Sequence, residues 1–129
     1  MRVFCTFCSK DKSDASGLLP AIDRYLSDRI RGVHECAIAD KVELFILSGK
    51  YGLIHCDTKI PWYDQFLNVD QRPKIIQQVK WQLADYSITQ VTYYTRLPED
   101  DPRYTPYNRV IEEACRSCDI ILEKRFWIK

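Results

Sequence analysis

Strand-like and helix-like segments alternate along this 129-residue chain, and the alternation restricts the folds open to it. Runs of β-branched and aromatic residues predict strands at 2–8, 42–47, 88–95 and 119–124. Apolar residues at helical spacing predict helices over about 18–29, from Asp70 to Tyr86, and from Pro106 onward, with a further helical piece at 33–40. Strands that alternate with helices favour a mostly parallel sheet. We therefore expect an α/β fold: a single-domain three-layer sandwich over 1–129, with a mostly parallel sheet of about four strands.

The composition is typical of one ordinary globular domain without a net electrostatic bias. Lysine and arginine total 19 against 18 acidic residues, so the chain lacks the basic excess of a dedicated duplex-binding protein. The apolar run within residues 1–8 is too short for a signal peptide or a membrane span. We expect a cytoplasmic protein that binds no membrane and keeps its six cysteines reduced.

A loop that contains two glycines follows the second predicted strand directly, with the sequence Ser48-Gly49-Lys50-Tyr51-Gly52. Gly49 and Gly52 permit backbone conformations that other residues avoid, so consecutive N–H groups can point inward around an anion. Lys50 adds positive charge. Because α/β proteins bind ligands at the carboxyl ends of their strands, we expect this loop, including Ser48 and Tyr51, to bind a ligand.

The segment 8–12 follows the first predicted strand and leads toward a helix. Right-handed crossovers place three loops at one edge of the sheet, namely 8–12, 48–52 and 96–106. At that edge the Cys8 thiol or the Ser9 hydroxyl would meet a substrate, and Lys10 and Lys12 would hold a phosphate. The alternative interpretation of this segment is a solvated turn with two ordinary lysines.

Trp62, Tyr63 and Asp64 bring two rings and a carboxylate together directly after Pro61. The rings would stack on a base, while Asp64 would act as a general base or stabilise a cationic, sugar-like transition state. The alternative is that the rings cover the core and that Asp64 begins a turn or a helix.

Two Cys-x-x-Cys pairs, Cys5/Cys8 and Cys115/Cys118, raise the hypothesis of a four-thiolate zinc site or a redox protein. The predicted topology opposes a shared zinc ion. Residues i and i+3 of a strand point to opposite faces, and the second pair precedes the last strand, at the opposite edge from Cys8. The chain has two histidines, which excludes a multi-histidine site, so we expect no metal and no cofactor.

Three motifs in order resemble a family of small, uncharacterised bacterial and phage domains: Cys8-Ser9-Lys10-x-Lys12, Ile46-Leu47-Ser48-Gly49-Lys50-Tyr51-Gly52-Leu53 and Ile60-Pro61-x-Tyr63-Asp64. More distantly, the central motif and Tyr63 are similar to the YaaA peroxide-stress family, whose members are associated with DNA binding. The Cys-Ser start is also similar to a domain of archaeal, tRNA-modifying archaeosine synthases. The sequence departs from the family pattern where Trp62 separates Pro61 from Tyr63 and where Gly49 replaces the commoner alanine. The resemblance implies that Ser48, Lys50, Tyr63 and Asp64 form one site, and it favours nucleotides, nucleobases or nucleic acid as the partner.

We therefore predict a domain that binds a nucleotide, a nucleobase or nucleic acid at these segments. As an enzyme it would act on an N-glycosidic bond, with Asp64 activating water and with Ser48 and the loop amides orienting the substrate. Lys10 and Lys50 would neutralise phosphate, and Tyr63 would stack on the base. Two alternatives remain: a non-catalytic DNA-binding or stress-protection module, and a thiol or zinc protein that uses the cysteine pairs.

Overall fold

The computed structural model describes residues 1–97 and 102–127 and gives the chain a mixed α/β fold. The strands of this described part are β1 (Arg2–Phe7), β2 (Leu19–Pro20), β3 (Glu43–Ser48), β4 (Gly52–His55), β5 (Lys59–Ile60), β6 (Gln90–Thr95) and β7 (Ile121–Phe126). Its α-helices are α1 (Ala21–Arg24), α2 (Asp28–Asp40), α3 (Arg72–Asp85) and α4 (Thr105–Ser117), with short 3₁₀ turns at Val69–Gln71 and Pro102–Tyr104. None of the helices in the described ranges has the length and apolar character needed to cross a membrane.

Within the described residues, five strands form one sheet in the order β4-β3-β1-β6-β7. β1 pairs in parallel with β3 and β6, and β6 pairs in parallel with β7. These four strands are the ones that the sequence predicts, so the mostly parallel α/β sheet is confirmed. β2 and β5 pair with each other in a separate, antiparallel two-stranded sheet.

The edge strand β4 lies where the sequence analysis expects only a loop. It forms a hairpin with β3, in which Ser48 lies opposite Gly52. The amide side chain of Gln82 on α3 covers the open edge of β4. It accepts the N–H of Leu53 at 2.7 Å and donates to the carbonyls of Leu53 at 3.0 Å and Tyr51 at 3.2 Å. These bonds satisfy backbone groups that an edge strand otherwise leaves to solvent.

The helix expected over 18–29 is wrong. This part of the chain forms the four-residue α1, and the next helix, α2, begins only at Asp28. Ser27 caps α2, because its hydroxyl accepts the N–H of Ile30 at 3.2 Å. The apolar spacing is misleading because Tyr25 lies between the two helices and is fully buried in the core.

Gly32 lies inside α2 rather than near a helix end. A Cβ at this position would come within 2.3 Å of the Trp127 ring, so a side chain there would require the ring to move. The helical piece predicted at 33–40 is the second half of this same helix.

The loop predicted at 96–106 falls partly on residues 98–101, which lie outside the described residues. After that gap the chain forms the 3₁₀ turn Pro102–Tyr104, and α4 begins at Thr105.

The helices and the sheet enclose a core that is centred on β1, β3 and β6. α2 packs against β1 and β3, whereas α3 contacts α4 and β4. Each of these three strands contributes buried aromatic side chains to the core, among them Phe4, Phe45 and Tyr93. Because these strands are parallel, their carboxyl ends meet at one edge of the sheet, and this edge carries the candidate site.

Gly52→Ala is expected to lower the free energy of unfolding by about 2–3 kcal/mol. Gly52 has a φ of +71°, and an added Cβ would lie 2.5 Å from Oε1 of Gln82, which the hydrogen bonds to β4 hold in place. Gly17→Ala is the matched control, since Gly17 has a φ of +80° with nothing within 4 Å of the added Cβ. It should cost about 1 kcal/mol. Equal losses in urea unfolding would contradict the close contact with Gln82.

Candidate functional site

Three segments that are distant in the sequence meet where β1 and β3 end. They are 8–12, 48–51 and 63–66, and we call them together the carboxyl-edge site. The N–H of Cys8 donates to the carbonyl of Leu47 at 2.9 Å, which joins the first two segments. The Gln65 amide donates to the Gly49 carbonyl at 3.3 Å, and a Cβ on Gly49 would lie only 2.8 Å from the Leu67 nitrogen. The third segment therefore packs directly on the glycine-containing loop.

Ser48 is fully buried, and its hydroxyl is used within the protein. The oxygen accepts the N–H groups of Lys50 at 3.0 Å and Tyr51 at 3.1 Å, and it lies 3.0 Å from the Tyr63 hydroxyl. Because two amides occupy the oxygen lone pairs, the Ser48 proton is directed to Tyr63. These two amides are therefore not available for the anion cradle that the sequence predicts in this loop. Ser48 holds the loop and Tyr63 in place, and it presents no surface to a substrate.

Tyr63 is also buried, with 4% of its surface exposed. Its hydroxyl is hydrogen-bonded to that of Tyr25. Burial, assisted by nearby ionisable groups, raises the pKa of both phenols, so both stay protonated. Nζ of Lys12 lies 4.5 Å from the centre of the Tyr63 ring, and Nζ of Lys50 lies 5.6 Å from it. The ring that the sequence assigns to base stacking is approached by two ammonium groups.

Lys12 and Cys8 lie at the inner side of the carboxyl-edge site. Burial lowers the pKa of Lys12, while the nearby carboxylates of Asp64 and Asp11 oppose that change, and its Nζ donates to the Lys10 carbonyl at 3.3 Å. The Cys8 thiol is buried and lies 3.5 Å from the Tyr107 hydroxyl, which also accepts the Leu67 N–H at 3.1 Å. Cys8 thus packs among internal hydroxyl groups.

Asp64, in contrast, is exposed and faces a cleft of about 330 Å³. Lys10, Phe66 and Arg103 line the same cleft, which we call the Asp64 cleft. It combines a carboxylate, an aromatic ring and two cationic side chains. Asp64 and Lys10 are therefore the predicted site residues that line this cleft, which has the size of a small ligand.

A second, smaller cleft of about 230 Å³ adjoins this one and is strongly basic. Its polar lining includes Ser9, Lys10, Ser27, Arg29, Arg96 and Arg103, and we call it the basic cleft. Arg29 is 4% exposed and donates to the Thr6 hydroxyl and to the Phe7 carbonyl, the latter at 2.8 Å. Lys10 and Arg103 belong to both clefts, so the two clefts lie side by side and are separated by these two residues.

No sequence motif predicts that Arg29, Arg96, Arg103 and Phe66 line these clefts. Arg96 and Arg103 lie in the third predicted loop, but no motif marks them. Arg29 lies in a run that the sequence assigns to a helix, and local spacing does not reveal that its side chain turns inward toward β1. Arg96 could have been predicted from its position, because a basic residue directly after a predicted strand lies at the ligand-binding edge of the sheet.

Gly52 and Tyr51 lie apart from the two clefts. Gly52 faces Gln82 of α3. Tyr51 packs edge-on against Tyr63, with ring centres 5.3 Å apart, and it lines a different cavity of about 390 Å³ between β4 and α3. The first residues of the glycine-containing loop therefore belong to the carboxyl-edge site, whereas its last residue, Gly52, faces α3 on the other side of the hairpin.

The cysteines are free, and the two Cys-x-x-Cys pairs do not meet as a group of four. Cys5 is buried close enough to Cys115 for their charges to interact, whereas Cys8 lies beside Tyr107. Within residues 1–97 and 102–127, the group close enough to hold a metal ion is His55, Cys56 and Asp57, which includes neither pair. This placement agrees with the topological argument against a shared four-thiolate zinc ion.

Cys56→Ala is expected to make the protein less sensitive to alkali. Burial, with the charges of Asp57 and Glu43 adding to it, raises the pKa of the Cys56 thiol from 9.0 to about 11. The folded thiol therefore keeps its proton between pH 9 and 11, while the unfolded thiol loses it, so stability falls as the pH rises through this window. In the wild type the free energy of unfolding should fall by about 1.4 kcal/mol per pH unit in this window because of Cys56, and Cys56→Ala should abolish that part of the fall. Urea unfolding under reducing conditions measures it. The same pH dependence in both proteins would contradict this.

Comparison with models of known protein families gives a match over most of the chain. The model of a family of unknown function, DUF6884, matches residues 3–97. This range runs from β1 through β6 and contains every site residue predicted from the sequence, together with Arg29 and Arg96, while Arg103 and Tyr107 lie beyond it. A search of curated proteins found no match, and neither did a search of solved structures. Because the match covers well over half of its residues, the chain belongs to the DUF6884 family of unknown function.

Proposed function

We propose that this protein binds a nucleotide or nucleobase in the opening formed by the Asp64 cleft and the basic cleft. One observation carries the proposal: the two clefts share Lys10 and Arg103, so that an aromatic ring, a carboxylate and several cations line neighbouring spaces that one ligand could span. Phe66 offers a ring for stacking on a base, and the cations suit a phosphate. The motif resemblance to the YaaA family and to archaeosine synthases favours the same class of ligand.

The proposed reaction is hydrolysis of an N-glycosidic bond. Asp64 takes a proton from a water molecule whose oxygen bonds to C1′ of the sugar, while the C1′–N bond breaks and its electron pair leaves with the base. The departing nitrogen takes up a proton from solvent and Asp64 releases its proton to solvent, so the hydrolysis of a nucleotide consumes one water and gives a free base and a sugar phosphate. Asp64 is the candidate catalytic residue, whereas Ser48 acts as a positioning residue through Tyr63 and the loop amides.

Binding is tested by thermal shift and titration calorimetry with free bases, nucleosides, nucleoside monophosphates and short single-stranded oligonucleotides. Phe66→Ala should weaken nucleoside binding about tenfold or more, because base stacking is worth about 1–3 kcal/mol. Trp81→Ala is the matched control, since Trp81 is an exposed ring on α3 outside both clefts. Nucleoside binding that is equal in wild type and Phe66→Ala would reject the Asp64 cleft as the base site.

A non-catalytic nucleic-acid-binding module is the second candidate, and Trp62 favours it. This ring is 55% exposed and directly precedes Tyr63 and Asp64, where it can stack on an unpaired base. Such a module would bind the oligonucleotides more tightly than the mononucleotides, with an affinity that falls steeply with salt and survives Asp64→Asn.

We also propose that the fold is a three-layer sandwich, with helices on both faces of the sheet, and that the protein is cytoplasmic. Right-handed crossovers, together with the contacts of α2 with β1 and β3 and of α3 with α4, support helices on both faces of the sheet. The six free cysteines fit a reducing compartment such as the cytoplasm.

A further inference from the structure

We propose that the basic cleft is a phosphate subsite that holds the phosphate of a mononucleotide-type ligand through Arg29, Arg96 and Lys10. This inference rests on the proposed function, because it names the part of the ligand that the basic cleft takes. It narrows the class of substrate to phosphomonoesters, as distinct from free nucleosides and bases.

The burial of Arg29 is the first argument. The residue is only 4% exposed, and the hydrogen bonds of its guanidinium go to neutral acceptors: the Thr6 hydroxyl and the carbonyls of Phe7 at 2.8 Å and Cys8 at 3.4 Å. Among the described residues, no carboxylate forms an ion pair with it. Buried charges in proteins are normally paired, because removal of a charge from water is costly. A phosphate in the basic cleft would supply the missing counter-charge.

The like charges around the cleft are the second argument. Burial lowers the pKa of Arg29 to about 10 against the opposing effect of nearby ionisable groups such as Tyr93, and the positive charge of Arg96 adds a smaller lowering. Lys10 adds a further cation to the lining. Among the lining residues that the structure describes, the acidic side chain is that of Asp11, which is exposed. Cations that lie this close together repel one another, and a bound dianion would turn the repulsion into attraction.

The position of the cleft in the fold is the third argument. β1 has β3 on one side and β6 on the other, and the chain moves from β1 to β3 before it crosses back to β6. The carboxyl end of β1 is therefore the topological switch point of the sheet, where open α/β sheets bind ligands. Ser27, the N-cap of the 13-residue helix α2, also lines the cleft, so the positive end of the helix dipole faces the same space.

The volume of the basic cleft indicates which part of the ligand it can hold. A volume of about 230 Å³ is below the usual range of about 300–1,000 Å³ for pockets that enclose a whole small molecule. It suits a phosphate with part of a sugar. The remaining part of the ligand would extend past Lys10 and Arg103 into the Asp64 cleft.

The test uses inorganic phosphate as the probe, with chloride at equal ionic strength as reference, followed by adenosine and adenosine 5′-monophosphate. Wild-type protein should bind phosphate, and it should bind the monophosphate at least tenfold more tightly than the nucleoside. Arg96→Gln should lose at least tenfold in phosphate affinity. Arg96→Lys, which keeps the charge, should recover most of that loss. Arg31→Gln is the matched control, because Arg31 is an exposed residue of the same helix, α2, as Arg29, and it should bind within twofold of wild type.

The pH dependence provides a second readout. The second pKa of a phosphomonoester is about 6, so affinity for the monophosphate should rise from pH 5 to pH 7 as the dianion forms. Adenosine binding should not follow this rise.

The outcomes separate the subsite from the proposed function. Phosphate binding that is absent in wild type, or unchanged in Arg96→Gln, overturns the subsite, even where adenosine binds and the proposed function stands. Phosphate binding that is lost in Arg96→Gln supports the subsite, even where bases and nucleosides fail to bind and the proposed function falls.

Discussion

Asp64→Asn is expected to lower the rate of base release from a bound nucleotide by about 10²–10⁴-fold, the usual contribution of a positioned general base. An asparagine at this position would keep the size and the hydrogen-bonding capacity of the side chain but could not accept a proton from water. Asp64 is exposed, so the substitution should leave folding unchanged. Affinity should also stay within a few fold, because Phe66 and the cations remain in place. The measurement is chromatographic detection of the free base in single-turnover reactions.

Asp40→Asn is the matched control for Asp64→Asn. Asp40 is an exposed carboxylate at the last residue of α2, about 18 Å along the helix from the end that lines the basic cleft. Its replacement removes the same charge without a change near Asp64, and the rate should equal that of wild type. A rate in Asp64→Asn that also equals wild type would remove Asp64 from the mechanism.

Arg24→Met is expected to lower the free energy of unfolding by about 3–5 kcal/mol. Arg24 is fully buried, and its guanidinium donates five hydrogen bonds, which join the loop 13–17 to β5. The acceptors are the carbonyls of Ser13, Ala15, Gly17 and Ile60, at 2.6–3.3 Å. Methionine has a similar length but no donor, so these carbonyls lose their partner. Urea unfolding at neutral pH measures the loss.

Arg31→Met controls for the change of an arginine to an apolar residue. Arg31 is exposed on α2, and its loss should change the free energy of unfolding by less than about 0.5 kcal/mol. A similar small effect for Arg24→Met would mean that the loop 13–17 does not depend on the guanidinium. Rapid proteolysis within 13–17 in Arg24→Met, with the rest of the protein intact, would locate the damage to that loop.

The elements that the sequence predicts well are those with a strong local signal. β1, β3, β6 and β7 are runs of residues that favour strands, and α3 has a clear apolar stripe with Pro73 in its first turn. The sequence does not predict the break between α1 and α2, because the buried Tyr25 lies at the same spacing from other apolar residues as a residue on the buried face of a helix would. The hairpin strand β4 escaped notice because its edge is completed by Gln82, which lies about 30 residues further along the chain.

The sequence by itself determined the α/β class, the order of the four parallel strands along the chain and the position of the segments 8–12 and 48–52 at the carboxyl edge. These follow from periodicity, turn residues and the handedness of crossovers, which act locally or through simple topology. Only the tertiary structure decided which side chains face a ligand. Ser48 and Tyr63 are buried and bonded to each other, while Arg29 and Phe66, which no motif marked, line the open clefts. The physical reason is that the exposure of a side chain and its partners depend on packing between distant segments, which local sequence patterns do not encode.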